Sequence, residues 1–384
     1  MSDLRLQPAL SMPAGFRFDQ VPSLAEPAAA TPAPSLGPLA AFTGTFHGKG
    51  FNTIFRPDIG TPTKLPVPAS DDNLLELNLT EETLSFSPSL GAVPNRGEVQ
   101  GDISLNGVPY LQVINDVTIA GQTTGIHVEP GLWMAVPATS DPAEGTTFMR
   151  MASIPHGTTV LAQGKAVTAA GKPAFPVVGI TPFGIGSDPS SGSPFASQTA
   201  AAVGTVRIPQ DLTPFITAGT ITQTMLDNPV SLLSSHLAGL NVTSSTAITV
   251  STRPTPPLFG GGNNNMAFLM GDAQATAPNA QAATMEATFW IETVEYTIQV
   301  PVFQPGHPPL TIAPAVGPGG APVPEFLVSP PVAITAPRAI KATATQIQYA
   351  QKVFLNFNGL TWPHVSVATL VPAAPVEVPA SAFA

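Results

Sequence analysis

The run DNLLELNLTEETLSFS, residues 72–87, alternates apolar and polar residues with strict period two. Leu75, Leu77 and Leu79 share one side, and Glu76, Asn78 and Thr80 share the other. Only a β-strand puts every second side chain on the same face, so this stretch reads as an antiparallel strand half buried in a core. Similar runs recur at 107–118, 125–136, 147–155, 158–169, 284–300, 343–357 and 363–371. Gly and Pro punctuate them, and helical periodicity is scarce. FTGTFHGKGFNTIF, residues 42–55, adds a glycine-rich first strand expected to bend at Gly48 and Gly50. Many short strands with few helices point to an all-β barrel or sandwich.

Two stretches break the pattern. Residues 171–266 mix Pro, Gly and Ser loops with one expected helix in PQDLTPFITAGTITQTMLDNPVSLLSSHL, where Asp211 or Thr213 is placed to cap a turn. Residues 301–342 are rich in proline and read as an extended surface segment. Residues 1–41 form a Pro- and Ala-rich arm with Leu4, Leu6, Phe16, Phe18 and Val21 as apolar anchors. The expected organisation is therefore an arm at 1–41 and one barrel domain at 42–384, with insertions at about 171–266 and 301–342.

Charged residues are only 10% of the chain, against about 25% for a typical domain, and the net charge is −10. That leaves no basic surface for nucleic acid or anionic lipid. No run approaches the roughly 18 apolar residues of a membrane helix. The N-terminus lacks a basic start followed by an apolar stretch, so no signal peptide is read and a cytoplasmic location is the default. With no cysteine, disulfides, thiolate ligands and cysteine nucleophiles are excluded.

The six histidines carry most of the remaining chemistry. His127 in IHVEPGLW stands two residues before Glu129, so both project from one strand face and the carboxylate can orient the imidazole. His156 in SIPHGTTV marks a turn. His364 follows Trp362 and Pro363 in LTWPHVSVATL. There Val365 and Val367 share one face, while His364, Ser366 and Ala368 share the other. If the valines fill a lumen, His364 points outward; if the small-residue face is the lumen, His364 overlooks space for a flat ligand. The bland alternative for each histidine is a packing or turn role. A Ser–His–acid set from Ser153, His156 and Glu129 or Asp116 can be assembled on paper, but no nucleophile elbow supports it.

FTGTFHGKGFNTIFRP, GIHVEPGLWMAVPAT, RMASIPHGTTVLAQG, ATFWIETV and IQYAQKVFLNFNGLTWPHVSVATL resemble a bacterial family labelled "heme-binding protein". In outline they are also similar to nitrobindin-like and lipocalin-like (calycin) β-barrels. The likeness covers most of 42–170 and 284–371. It implies a large antiparallel calycin-type barrel of eight to ten strands around a small apolar ligand. In nitrobindin-like barrels an axial histidine near the C-terminal end binds haem iron, and the matching position is His364, with His127 and His156 as further candidates. Trp133, Trp362, Phe46 and Phe357 are the expected apolar walls, and Arg96 and Arg150 the expected partners of haem propionates. An iron with an open side implies gas binding or weak peroxidase-type activity. Two other readings stand beside this one. The first is a self-assembling homo-oligomeric scaffold whose arm (1–41) and insertion (301–342) pack on neighbours. The second is a barrel enzyme acting on a terpenoid or polyketide.

Overall fold

In a computed structural model, the described residues are 32–58, 73–98, 100–141, 143–256, 258, 260–270, 279–315 and 317–383. Ten long strands form the wall of a barrel. They are β1 (Gly44–Arg56), β2 (Leu74–Phe86), β3 (Ile103–Asp116), β4 (Thr124–Val136) and β5 (Thr147–Ile154). They continue as β6 (Thr158–Ala170), β7 (Asn241–Ser251), β8 (Gln281–Val300), β9 (Arg338–Phe357) and β10 (Leu360–Pro372). Each strand pairs antiparallel with its neighbours in sequence, and β10 pairs with β1, so the sheet closes on itself. Closure leaves no edge among these ten strands to template association. The expected all-β antiparallel barrel is what the chain forms.

Gly48 and Gly50 belong to the β1–β10 seam. A Cβ at Gly48 would meet the Thr369 carbonyl oxygen at 2.0 Å, and one at Gly50 would meet that of Val367 at 2.3 Å. Only glycine allows the two backbones to come this close.

One apolar cluster draws members from all ten strands, and so it fills the lumen. It includes Phe46, Leu84, Tyr110, Trp133, Phe148, Val160, Ile248, Phe289, Tyr349 and Ala368. Burying each large side chain contributes about 1.5–3 kcal/mol. A 3-10 turn at Gly37–Ala41 followed by Phe42 plugs one end of the barrel, where Phe42 stacks on Phe86 at 4.6 Å. The last residues of the expected arm thus pack into their own barrel, while residues 1–31 lie outside the described residues.

A second core lies outside the wall. Phe51, Leu75, Leu77, Trp290, Val365 and Val367 pack against Ile180, Leu212, Met225, Leu226 and Leu233 of the chain between β6 and β7. That chain carries three short helices, α1 (Thr213–Ala218), α2 (Gln223–Asp227) and α3 (Ser231–His236), instead of one long one. Asp211 accepts from the Thr213 amide at 2.8 Å, and the Thr222 side chain accepts from the Met225 amide to cap α2. Gly219, in the left-handed region at φ 70°, ends α1.

The insertion expected at 171–266 is shorter than the sequence suggested, because residues 241–251 are the wall strand β7. Its NVTSSTAITVS is rich in β-branched residues, which pack well on a pleated surface. The insertion expected at 301–342 likewise ends where β9 begins at Arg338.

A third core sits where β8 and β9, each of 20 residues, run on past the wall. Tyr296, Ile298, Val300, Ile340 and Ala342 there bury Phe303, Phe326, Val328 and Ile334 of the proline-rich segment. These apolar residues of the proline-rich segment pack on their own chain. Among the described residues no helix is long and apolar enough to cross a membrane.

Candidate functional site

The register of β10 settles which of its faces looks inward. Val365 and Val367 belong to the outer core, whereas Ala368 and Leu370 belong to the lumen cluster. His364 and Ser366 share the face of Ala368 and point into the barrel.

Asn52 on β1 reaches across to both. Its amide nitrogen donates to His364 Nε2 at 2.8 Å and to Ser366 Oγ at 2.7 Å, while its oxygen accepts from Asn78 at 3.3 Å. With Nε2 accepting, the ring proton sits on Nδ1. Burial, with His127 and His156 adding to it, holds His364 down at about 3, so the imidazole is neutral at ordinary pH.

All three of these histidines lie at the end of the barrel opposite the plug. His364 is near the start of β10, His127 near the start of β4, and His156 in the turn between β5 and β6. The His127 and His156 rings are 6.4 Å apart, centroid to centroid. His127 Nε2 donates to Glu129 Oε2 at 3.3 Å, the same-face pairing that their spacing implied. The turn after β7 also reaches this end: α4 (Ala267–Met270) follows Met266, whose amide donates to the Gly157 carbonyl at 2.8 Å. Met266, Phe268 and Met270 are each at least half exposed, which gives this end an apolar rim.

Below the histidines the lumen is polar before it becomes aromatic. Arg150, 1% exposed, donates to Glu129 Oε1 at 2.5 Å, to Gln351 at 2.5 Å and to the Tyr110 hydroxyl at 2.9 Å. Its guanidinium also lies over the Phe289 ring at 5.1 Å. Burial alone would raise the Glu129 carboxyl, but the Arg150 charge and the hydrogen bonds from His127 and Tyr110 bring it down to about 2. Beside this network, the Tyr349 hydroxyl donates to Glu82 Oε2 at 2.6 Å, and Gln112 donates to both residues. Burial raises Glu82 despite these bonds. An ion pair this deep costs desolvation and persists because its lone pairs and protons are so fully matched.

Several expected wall and charge residues are elsewhere. Trp362 stacks on Phe357 at 4.6 Å and 7°, and its indole nitrogen donates to the Phe357 carbonyl at 3.0 Å. Both rings belong to the outer core, so neither lines the lumen. Trp133 and Phe46 do face inward, but within the packed aromatic half. Arg96 is exposed in the connection between β2 and β3, at the plugged end, and pairs with Asp102. Arg150 is consumed by Glu129, so neither arginine is free to meet a propionate at the histidine end. Asn52, Glu82, Tyr110, Gln112 and Tyr349 escaped the sequence reading. The available signal was a polar residue in mid-strand, as in GVPYLQVIND. Among the described residues, no three His, Asp or Glu groups converge to hold a metal ion.

No protein-family model matches the chain, and no curated protein sequence matches it. Among solved structures it is similar to "Rv2717c from M. tuberculosis", at 10% identity over 90% of this chain and 100% of that one. The TM-score of 0.35 is too low for that likeness to carry any argument.

Proposed function

We propose that the histidine end of the barrel binds a flat, largely apolar ligand, haem being the first candidate, with His364 as the donor to its iron. The observation that carries this reading is the inward-facing, neutral imidazole of His364 beside the small residues Ser366 and Ala368. Val353 stands opposite His364 in the β9–β10 register, and Met285 stands opposite Val353, giving an apolar wall next to the donor. The exposed Met266, Phe268 and Met270 extend that apolar character to the rim.

The residues fit an axial donor. The lone pair of His364 lies on Nε2, the tautomer an iron requires, and the ring needs no deprotonation at neutral pH. One local change is required: Asn52 must release Nε2, and it can keep its bond to Ser366 while doing so. When bound, haem would supply gas binding or weak peroxidase-type chemistry. The chain itself supplies the donor, the apolar wall and an ionised Glu129 behind His127. Carboxylate partners from Arg96 and Arg150 form no part of this reading.

The test is an absorption spectrum of the purified protein with haemin, followed across a size-exclusion peak. A co-eluting, shifted Soret band that is lost in His364→Ala supports the assignment. A band that His364→Ala leaves unchanged, or no band, removes it.

A further inference from the structure

We propose that His127 and His156 form a two-histidine site for a divalent transition-metal ion of the zinc, nickel or copper class, separate from the donor role of His364. Three observations converge on it. The first is distance. An imidazole bound to zinc has its ring centre roughly 3.2 Å from the ion, given Zn–N bonds of about 2.0–2.1 Å. Two such rings on opposite sides of one ion are therefore about 6.4 Å apart, closing to about 5.2 Å at a tetrahedral angle. The observed centroid separation is 6.4 Å, at the outer limit of that range.

The second is the group behind His127. Glu129 is fully buried, ion-paired to Arg150, and accepts from His127 Nε2. That hydrogen bond fixes the proton on Nε2 and leaves the Nδ1 lone pair available. A carboxylate holding the far nitrogen of a ligating histidine is the usual outer support of a metal site, and it strengthens the donor.

The third is freedom to close. His156 is exposed and sits in the turn Pro155–Gly157, where Gly157 takes φ 86°. His156 lies outside the strand pairing, which ends at Ile154 and Thr158, so its side chain can turn toward His127 without breaking the wall. Because the protein offers two donors, water completes the coordination, and the ion keeps open positions facing the solvent side.

The experiment is zinc titration by calorimetry, with cobalt absorption as a second readout, on the untagged full chain. Saturable binding of one ion per chain is expected. It should weaken by at least ~10-fold in His156→Ala and in His127→Gln, and be unaffected in His307→Ala, which alters an exposed histidine of the proline-rich segment. Melting curves of each variant establish that it is folded. No saturable binding, or binding that survives in the His127→Gln/His156→Ala double variant, overturns the proposal and leaves His127–Glu129 as a polar pair at a strand end. Haemin titration of the same samples reads His364 instead, so either idea can fail alone.

Discussion

Glu292 on β8 and Gln346 on β9 face each other in register, joined by one hydrogen bond from Gln346 Nε2 to Glu292 Oε2 at 2.6 Å. Their other oxygens, Glu292 Oε1 and Gln346 Oε1, are both buried without a donor. A single proton on Glu292 would serve both. Burial pushes Glu292 up to about 8, opposed only in part by the Gln346 bond, so the carboxyl carries that proton at neutral pH. The pair lies on the outer side of the wall, between Trp290 of the second core and Val294 of the third. Tyr296, whose own value is raised by burial and by Glu292, is a titratable group on the same strand face.

The sign of the resulting pH dependence follows. A carboxyl raised from 4.5 to about 8 in the folded state contributes stability that is complete below 4.5 and lost as pH rises through 8. Urea denaturation at a series of pH values should show wild type losing a few kcal/mol over that window relative to Glu292→Gln. Parallel curves for the two proteins would show that Glu292 does not titrate there.

The acid side is governed by other groups. Glu129 is lowered to about 2, so its contribution is present above 4.5 and lost as pH falls through 2. His236, pushed down to about 4 mainly by burial, and His364, at about 3, contribute above 6.5 and lose that contribution as pH falls toward those values. Stability should therefore be greatest near 6.5, falling on both sides, when melting temperature is followed against pH.

Arg150→Met should be among the most damaging single changes in the lumen. It would strand Glu129 as a buried charge, at a cost of about 3–5 kcal/mol in chemical denaturation. The double change Arg150→Met/Glu129→Gln should recover much of that loss. If the double variant is as unstable as the single one, repacking rather than the stranded charge is the cause.

Asn52→Leu should separate stability from ligand affinity. Losing the bonds to Ser366 and Asn78 costs about 1–3 kcal/mol. The same change frees His364 Nε2, and haemin, read at the Soret band, should then bind more tightly than to wild type. Weaker binding would mean that Asn52 helps to hold the ligand.

Trp362→Ala tests the placement of that ring outside the wall. A buried tryptophan stacked on Phe357 and close to Phe55 should cost about 3–5 kcal/mol when truncated. Haemin affinity, measured well below the lowered melting temperature, should not change. A parallel loss of affinity would place Trp362 against the ligand.

Much of this architecture can be read from residue order, and the limits of that reading have physical causes. Period two marked β2, and the spacing of His127 and Glu129 placed both on one face. Alternation could not say which face is the lumen, because insertions cover part of the outside. Leu75 and Leu77 of β2 and Val365 and Val367 of β10 look outward into a second core, while Asn78, Glu82, His364 and Ser366 look in. An amphipathic strand normally hides its apolar side; here both sides are hidden. The strand β7 was missed because it interrupts a loop-rich region, and the interior role of Glu82 was missed because its partner Tyr349 comes from a strand far along the chain.

The turn at Gly37–Ala41 makes the barrel a blind alley. On the proposed function, a ligand for His364 would enter at the histidine end and leave by the same door. Water displaced by an arriving molecule has to slip out past it, so entry and release share one doorway.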